Sequence, residues 1–114
     1  MSKVIAEIAT DPIGTHTPNE SDYIVAAERV LKQAIGNGVQ VQYKINPMST
    51  TLEGECHEIF SILEQMHAAP FHEGAMRVIT TIRVDERRDH QEATMARSVD
   101  GVEKKLAVSK AEMC

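Results

Sequence analysis

Ten consecutive residues carry most of the chemistry in this chain: Asn46-Pro47-Met48-Ser49-Thr50-Thr51-Leu52-Glu53-Gly54-Glu55. Three hydroxyls and two carboxylates fall in a stretch with little apolar material to bury. Hydroxyls donate and accept hydrogen bonds, and carboxylates accept them or offset a positive charge. Two further polar segments stand at strand ends, Asp11-Pro12-Ile13-Gly14-Thr15 and Asp85-Glu86-Arg87-Arg88-Asp89. The pattern predicts polar groups at three strand ends, gathered around a small polar ligand.

Other chemistries are poorly served. The five histidines reproduce neither an HExxH nor a paired CxxC spacing, so no metal site is expected. Cys56 falls on the apolar stripe of a predicted helix, and no histidine is obviously placed to activate it. Glu53 and Glu55 can do acid–base work, but no electrophilic group or cofactor motif accompanies them. The expectation is a protein that is not an enzyme and requires no cofactor.

Composition narrows the class. With 114 residues, 42% hydrophobic and 25% charged, the chain is expected to form one domain with a modest core. That domain is expected to span residues 1–106, with a frayed tail from 107 to 114. No apolar run is long enough to cross a bilayer, and the N-terminus lacks the pattern of a signal peptide. Two cysteines, Cys56 and Cys114, make no disulfide framework. A reduced, cytoplasmic location is the expectation, with no membrane partner. A net charge of −5 argues against a nucleic-acid partner and favours a neutral or cationic ligand. RNA-binding sheets expose aromatics beside basic residues, and this chain has only two Tyr, two Phe and no Trp.

The elements that must position these residues follow from periodicity. Lys3 to Thr10 alternates, with Val4, Ala6 and Ile8 on one side and Ile5, Glu7 and Ala9 on the other. Thr17-Pro18-Asn19-Glu20 fits a helix start with a capping box, and Ser21 is a competing cap. Tyr23, Ala27, Val30, Leu31 and Ala34 form its apolar stripe, which Gly36-Asn37-Gly38 ends. Val39 to Ile45 reads as a second strand and Ser49 to Glu53 as a short third one. Cys56, Ile59, Phe60, Leu63 and Met66 make a second helical stripe, ending near Pro70 and Gly74. Met76 to Val84 is the clearest strand, and a last helix is predicted over about residues 91–106.

This β-α-β-β-α-β order predicts an α+β, ferredoxin-like sheet with helices on one face and an added C-terminal helix. Right-handed crossovers place the first strand between the third and the fourth. The open face then carries Ile5, Glu7 and Ala9 beside Arg77, Ile79, Thr81 and Arg83. Such a mixed surface predicts packing against another subunit, with Glu7 paired to an arginine. A solvated face with loose ion pairs is the alternative.

Ala6-Glu7-Ile8 leading into Pro12-Ile13-Gly14-Thr15, the loop from Asn46 to Glu55, Gly74 to Asp85, and Arg87-Arg88-Asp89 stand in a characteristic order. In these pieces the chain resembles the small single-domain thiamine-binding protein family, itself similar to tandem-domain proteins that bind thiamine and its hydroxymethylpyrimidine moiety. The resemblance runs from about Val4 to Leu106. It implies a ferredoxin-like fold, homodimers through sheet packing, and usually a tetramer; it does not imply an enzyme. One departure is Ser49, where the family commonly has glycine after the methionine of the central loop.

Taken with the resemblance, the residues assign roles in binding thiamine or hydroxymethylpyrimidine. Backbone groups around Ile13, Gly14 and Thr15, and the turn of Met48, Ser49, Thr50 and Thr51, can meet the pyrimidine edge. Met48 and Ile13 can line the apolar part. Glu53 or Glu55 can offset the thiazolium or hold the exocyclic amine, and Glu55 reads equally well as a helix cap. Arg87 can meet a ligand phosphate, or belong to a solvated turn in which Asp89 caps the last helix. The alternative to a binding protein is a small oligomeric regulatory or structural module with no thiamine ligand.

Overall fold

In a computed structural model, which describes residues 2–15, 18–89 and 94–113, the chain runs β1 (Lys3–Pro12), α1 (Ser21–Gly36), β2 (Val41–Ile45), β3 (Thr50–Glu55), α2 (Cys56–His72), β4 (Val78–Glu86) and α3 (Met95–Met113). The four strands form one antiparallel sheet in the order β2-β3-β1-β4. The first strand therefore lies between the third and the fourth, in the ferredoxin-like α+β arrangement.

Strand alternation divides the sheet into two faces. Val4, Ala6 and Ile8 of β1 and Thr50, Leu52 and Gly54 of β3 point toward α1 and α2. There they meet Ala27 and Leu31 of α1 and Ile59, Leu63 and Met66 of α2, and this layer is the core. Packing is close at Gly54. A Cβ there would stand 3.1 Å from Gln40 O and 3.1 Å from Ile59 Cδ1, so glycine lets α2 approach the sheet. The other face carries Ile5, Glu7, Thr51, Glu53, Ile79, Thr81 and Arg83. Glu7 pairs there with Arg83 at 3.9 Å, which gives the glutamate the arginine partner expected of it.

The ends of the elements differ from the sequence pattern in ways that have causes. Helix α1 starts at Ser21, not near Pro18, and Glu20 makes no side-chain capping bond. Instead, Asn19 Oδ1 accepts the Ser21 N–H at 2.9 Å. Thr17, the other proposed cap, lies outside the described residues. Helix α2 continues past Pro70 to His72. Pro70 lacks an N–H, but it sits buried in the last turn, and its carbonyl accepts the N–H groups of Glu73 and Ala75, both at 3.1 Å. Gly74 then takes φ +101°, which reverses the chain into β4. Strand β4 begins two residues later than alternation suggests and runs to Glu86, because it pairs with all of β1 from Val4 to Pro12. Helix α3 runs on to Met113, beyond residue 106 where its apolar spacing ends.

Candidate functional site

A cleft of about 270 Å³ opens where β1 ends, β2 turns into β3, and α1 begins. Ile8, Ala27 and Met66 form its apolar floor, and the β2–β3 turn from Asn46 to Thr50 forms one wall. Glu20, Ile24 and Glu28 line the side of α1, and Thr10 and Asp11 the end of β1.

The hairpin is held in register by its own polar groups. The Asn46 N–H donates to Ser49 O at 2.7 Å, and Asn46 Nδ2 donates to Thr51 Oγ1 at 2.9 Å. With that register, Thr50 sits opposite Ile8 and turns inward, 6% exposed. Its hydroxyl donates to Glu28 Oε1 at 2.5 Å. The second oxygen, Glu28 Oε2, is buried and has no hydrogen-bond partner among the described residues. Glu28 itself is part-buried beside the cleft, and an unpaired buried carboxylate oxygen costs free energy. Ser49 turns the other way. Its hydroxyl donates to Glu7 Oε2 at 3.1 Å on the open face, so Ser49 joins the Glu7–Arg83 pair.

The sequence-predicted residues divide among three places. Met48, Ser49 and Thr50 line the cleft. Met48 is 87% exposed at its mouth, well placed to cover a ligand. Thr51 stands beside it on the open face as the acceptor for Asn46. Ile13, Gly14 and Thr15 follow β1 at the same end of the sheet but do not line the cleft, because the Ile13 N–H is drawn to Arg77 O at 2.8 Å, toward β4. Glu53, Glu55 and Arg87 are not brought there. Glu53 faces away from the helices, opposite Ile5 and Gln42, and with Glu55 it lines a broad polar hollow of about 1000 Å³. Glu55 caps α2, accepting the N–H groups of His57 at 3.1 Å and Glu58 at 3.4 Å, which is the cap role left open for it. Arg87 follows the far end of β4, whose Glu86 pairs with Val4, and it binds Asp89. The antiparallel pairing of β1 with β4 thus puts Arg87 a full strand length from the cleft.

That far end carries its own small cluster. Arg88 binds Glu86 and holds its carboxyl below the usual range. Burial pushes the Cys56 thiol up, and hydrogen bonding to Glu86 adds to the effect. A thiol so placed is a poor nucleophile. Among the described residues, no group of three or more His, Cys, Asp or Glu could hold a metal ion.

The model for thiamine-binding proteins matches residues 6–103. The chain belongs to the thiamine-binding protein family. Among members of the family's uncharacterised designation, the UPF0045 protein YqgV of Bacillus subtilis is 37% identical over 102 residues, covering 90% of this chain and 96% of that one. The UPF0045 protein ECM15 of Eremothecium gossypii is 32% identical, covering 94% of this chain and 98% of its own. The crystal structure of the protein MJ1052 from Methanocaldococcus jannascii superposes with a TM-score of 0.76 at 28% identity, over 90% of this chain and 97% of that one. In this thiamine-binding family member, the cleft residue that sequence reasoning does not reach is Glu28. It sits three residues before buried Leu31 and one after buried Ala27, so its place inside the apolar arc of α1 was the signal.

Proposed function

We propose that the protein binds thiamine or its hydroxymethylpyrimidine moiety in the cleft between β1, α1 and the β2–β3 turn, as a carrier, sensor or buffer without catalysis. The observation that carries this reading is the part-buried Thr50–Glu28 pair lining the cleft, in a chain of the thiamine-binding family. The size supports it. At about 270 Å³ the cleft lies just below the usual range of ligand pockets, which suits a single ring with a short substituent. The charge supports it too. Asp11, Glu20 and Glu28 line the cleft, and no lysine or arginine does so among the described residues. A carboxylate lining favours a cationic or neutral ligand and repels a phosphate ester.

Calorimetric titration with thiamine, hydroxymethylpyrimidine and thiamine diphosphate tests the reading. Saturable binding of the first two, with the diphosphate weaker, is expected. No binding of either below millimolar concentration rules it out.

The same proposal includes a homo-oligomer in the cytoplasm, assembled through the open sheet face. Ile79 stands 48% exposed on the same face as the Glu7–Arg83 pair. This exposed surface also favours the second reading, an oligomeric module without a vitamin ligand. Sedimentation separates the two when run beside the titration, since only the first requires both an oligomer and heat of binding.

A further inference from the structure

Two apolar surfaces of this chain lie open, and each matches the other. One is a groove of about 490 Å³ on the helix side of the sheet, lined by Phe60, Leu63 and Glu64 of α2 and by Ile82 of β4. The other is the stripe of Val99, Val102 and Leu106 along α3, each more than half exposed. We infer that α3 of one copy lies in the α2–β4 groove of a second copy, whose own α3 fills the groove of the first. This contact is separate from the open sheet face and does not depend on the ligand.

The groove follows from how the sheet is covered. Helices α1 and α2 pack over β1 and β3, and among the described residues no β4 side chain joins the buried core. Ile82 pairs with Ile8 and Val84 with Ala6, so both point to the helix side, yet both remain exposed. Phe60 is half-exposed beside them. The His67 ring meets the Thr80 hydroxyl at 2.6 Å, which ties α2 to β4 and fixes the spacing of the two walls.

The occupant follows from α3. Anchors at i, i+3 and i+7 are the pattern by which an amphipathic helix seats in an apolar groove, and Val99, Val102 and Leu106 have that spacing. The 19 residues of α3 extend about 28 Å. The 9 residues of β4 extend about 30 Å, so the helix can cover the strand from end to end. Lys105, three residues after Val102 and so beside the stripe, offers a positive charge to Glu64 at the groove. The chain does not fill its own groove. Thr94 and Ala96, at the start of α3, share a hollow with Gln40, Gln42 and Glu53, on the β2–β3 side of the sheet. Strand β4 forms the opposite edge. From its start α3 makes only marginal contact with its own domain. A two-fold exchange covers both surfaces of both copies and closes the assembly.

Sedimentation of the full chain tests this with Val102→Lys, Phe60→Glu and the two variants refolded together in equal amounts. Each variant alone sets a lone charge against apolar surface in both contacts of the pair, so half the wild-type mass is expected. The mixture joins the two opposite charges in one contact and leaves the other as in the wild type, so the wild-type mass returns. Both positions are at least half exposed, and circular dichroism reports that the variants are folded. In the wild type, a carbodiimide cross-link from Lys105 to Glu64 is expected between chains when isotope-labelled and unlabelled protein are refolded together. A monomeric wild type, folded variants that keep the wild-type mass, or a mixture that fails to recover it overturns the inference. Should either variant not fold, the cross-link decides, and its absence between chains overturns the inference.

Discussion

Thr50 and Glu28 show how one pair can serve the fold and oppose it at once. The hydroxyl satisfies one carboxylate oxygen, and the other has no partner among the described residues. Thr50→Val removes the hydroxyl that donates to the carboxylate, so urea denaturation is expected to show a loss of about 1–3 kcal/mol. Combining it with Glu28→Met replaces the pair by apolar groups, and the double variant should recover most of that loss or exceed the wild type. A double variant less stable than Thr50→Val would show that Glu28 is satisfied in some other way. Cys56 offers a second test at this scale. Its raised pKa leaves less thiolate at a given pH, so alkylation of Cys56 by iodoacetamide at pH about 8 should run slower than that of free cysteine. Glu86→Gln removes a neighbouring carboxylate and should speed it, followed by peptide mass spectrometry. The Arg88-bound Glu86 has the opposite sign. Its lowered pKa adds stability at neutral pH that is lost as pH falls through the folded-state value.

At the scale of elements, Gly54 sets the distance between sheet and helix. Gly54→Ala puts a methyl group 3.1 Å from both the Gln40 carbonyl and Ile59 Cδ1, and backbone cannot yield cheaply. A loss of about 1–3 kcal/mol is expected in denaturant melts, with Ile59→Val returning part of it in the double variant. The same strand explains how far the site could be read from the sequence. The order of elements and the central position of β1 follow from alternation and crossover handedness, and both are found. Odd and even positions along β3 already separate Thr50 from Glu53 and Glu55, because alternate residues face opposite sides. The antiparallel course of β1 and β4 likewise separates Arg87 from the residues after Pro12. Within one chain, then, the geometry of the sheet holds these residues apart. Glu28 is different in kind. Its approach to Thr50 depends on how α1 is rotated over the sheet, and 22 residues separate the two. Local pattern carries that only as a charged residue inside an apolar arc.

Over the whole molecule, apolar surface remains where a second copy would need it. Ile79 on the open face is joined by Val99, Val102 and Leu106, which recur along one side of α3 and are each more than half exposed. Helix α3 makes only marginal contact with the rest of the described domain. Burial of such side chains is worth about 25 cal/mol per Å², which favours association over exposure. Ile79→Asp places a charge in the proposed sheet-face contact, so sedimentation should shift it toward the monomer while its circular dichroism spectrum is unchanged. An unaltered sedimentation coefficient would move the interface elsewhere, with α3 the next surface to alter.

The short bridge from the Asn46 backbone and side chain to Ser49 and Thr51 acts as a latch on pairing frame. A slip of one residue would exchange the roles of two neighbours, sending Thr50 out among the sheet-face charges and Ser49 in beneath α1. The Asn46 amide thereby decides which of two hydroxyls the cleft receives.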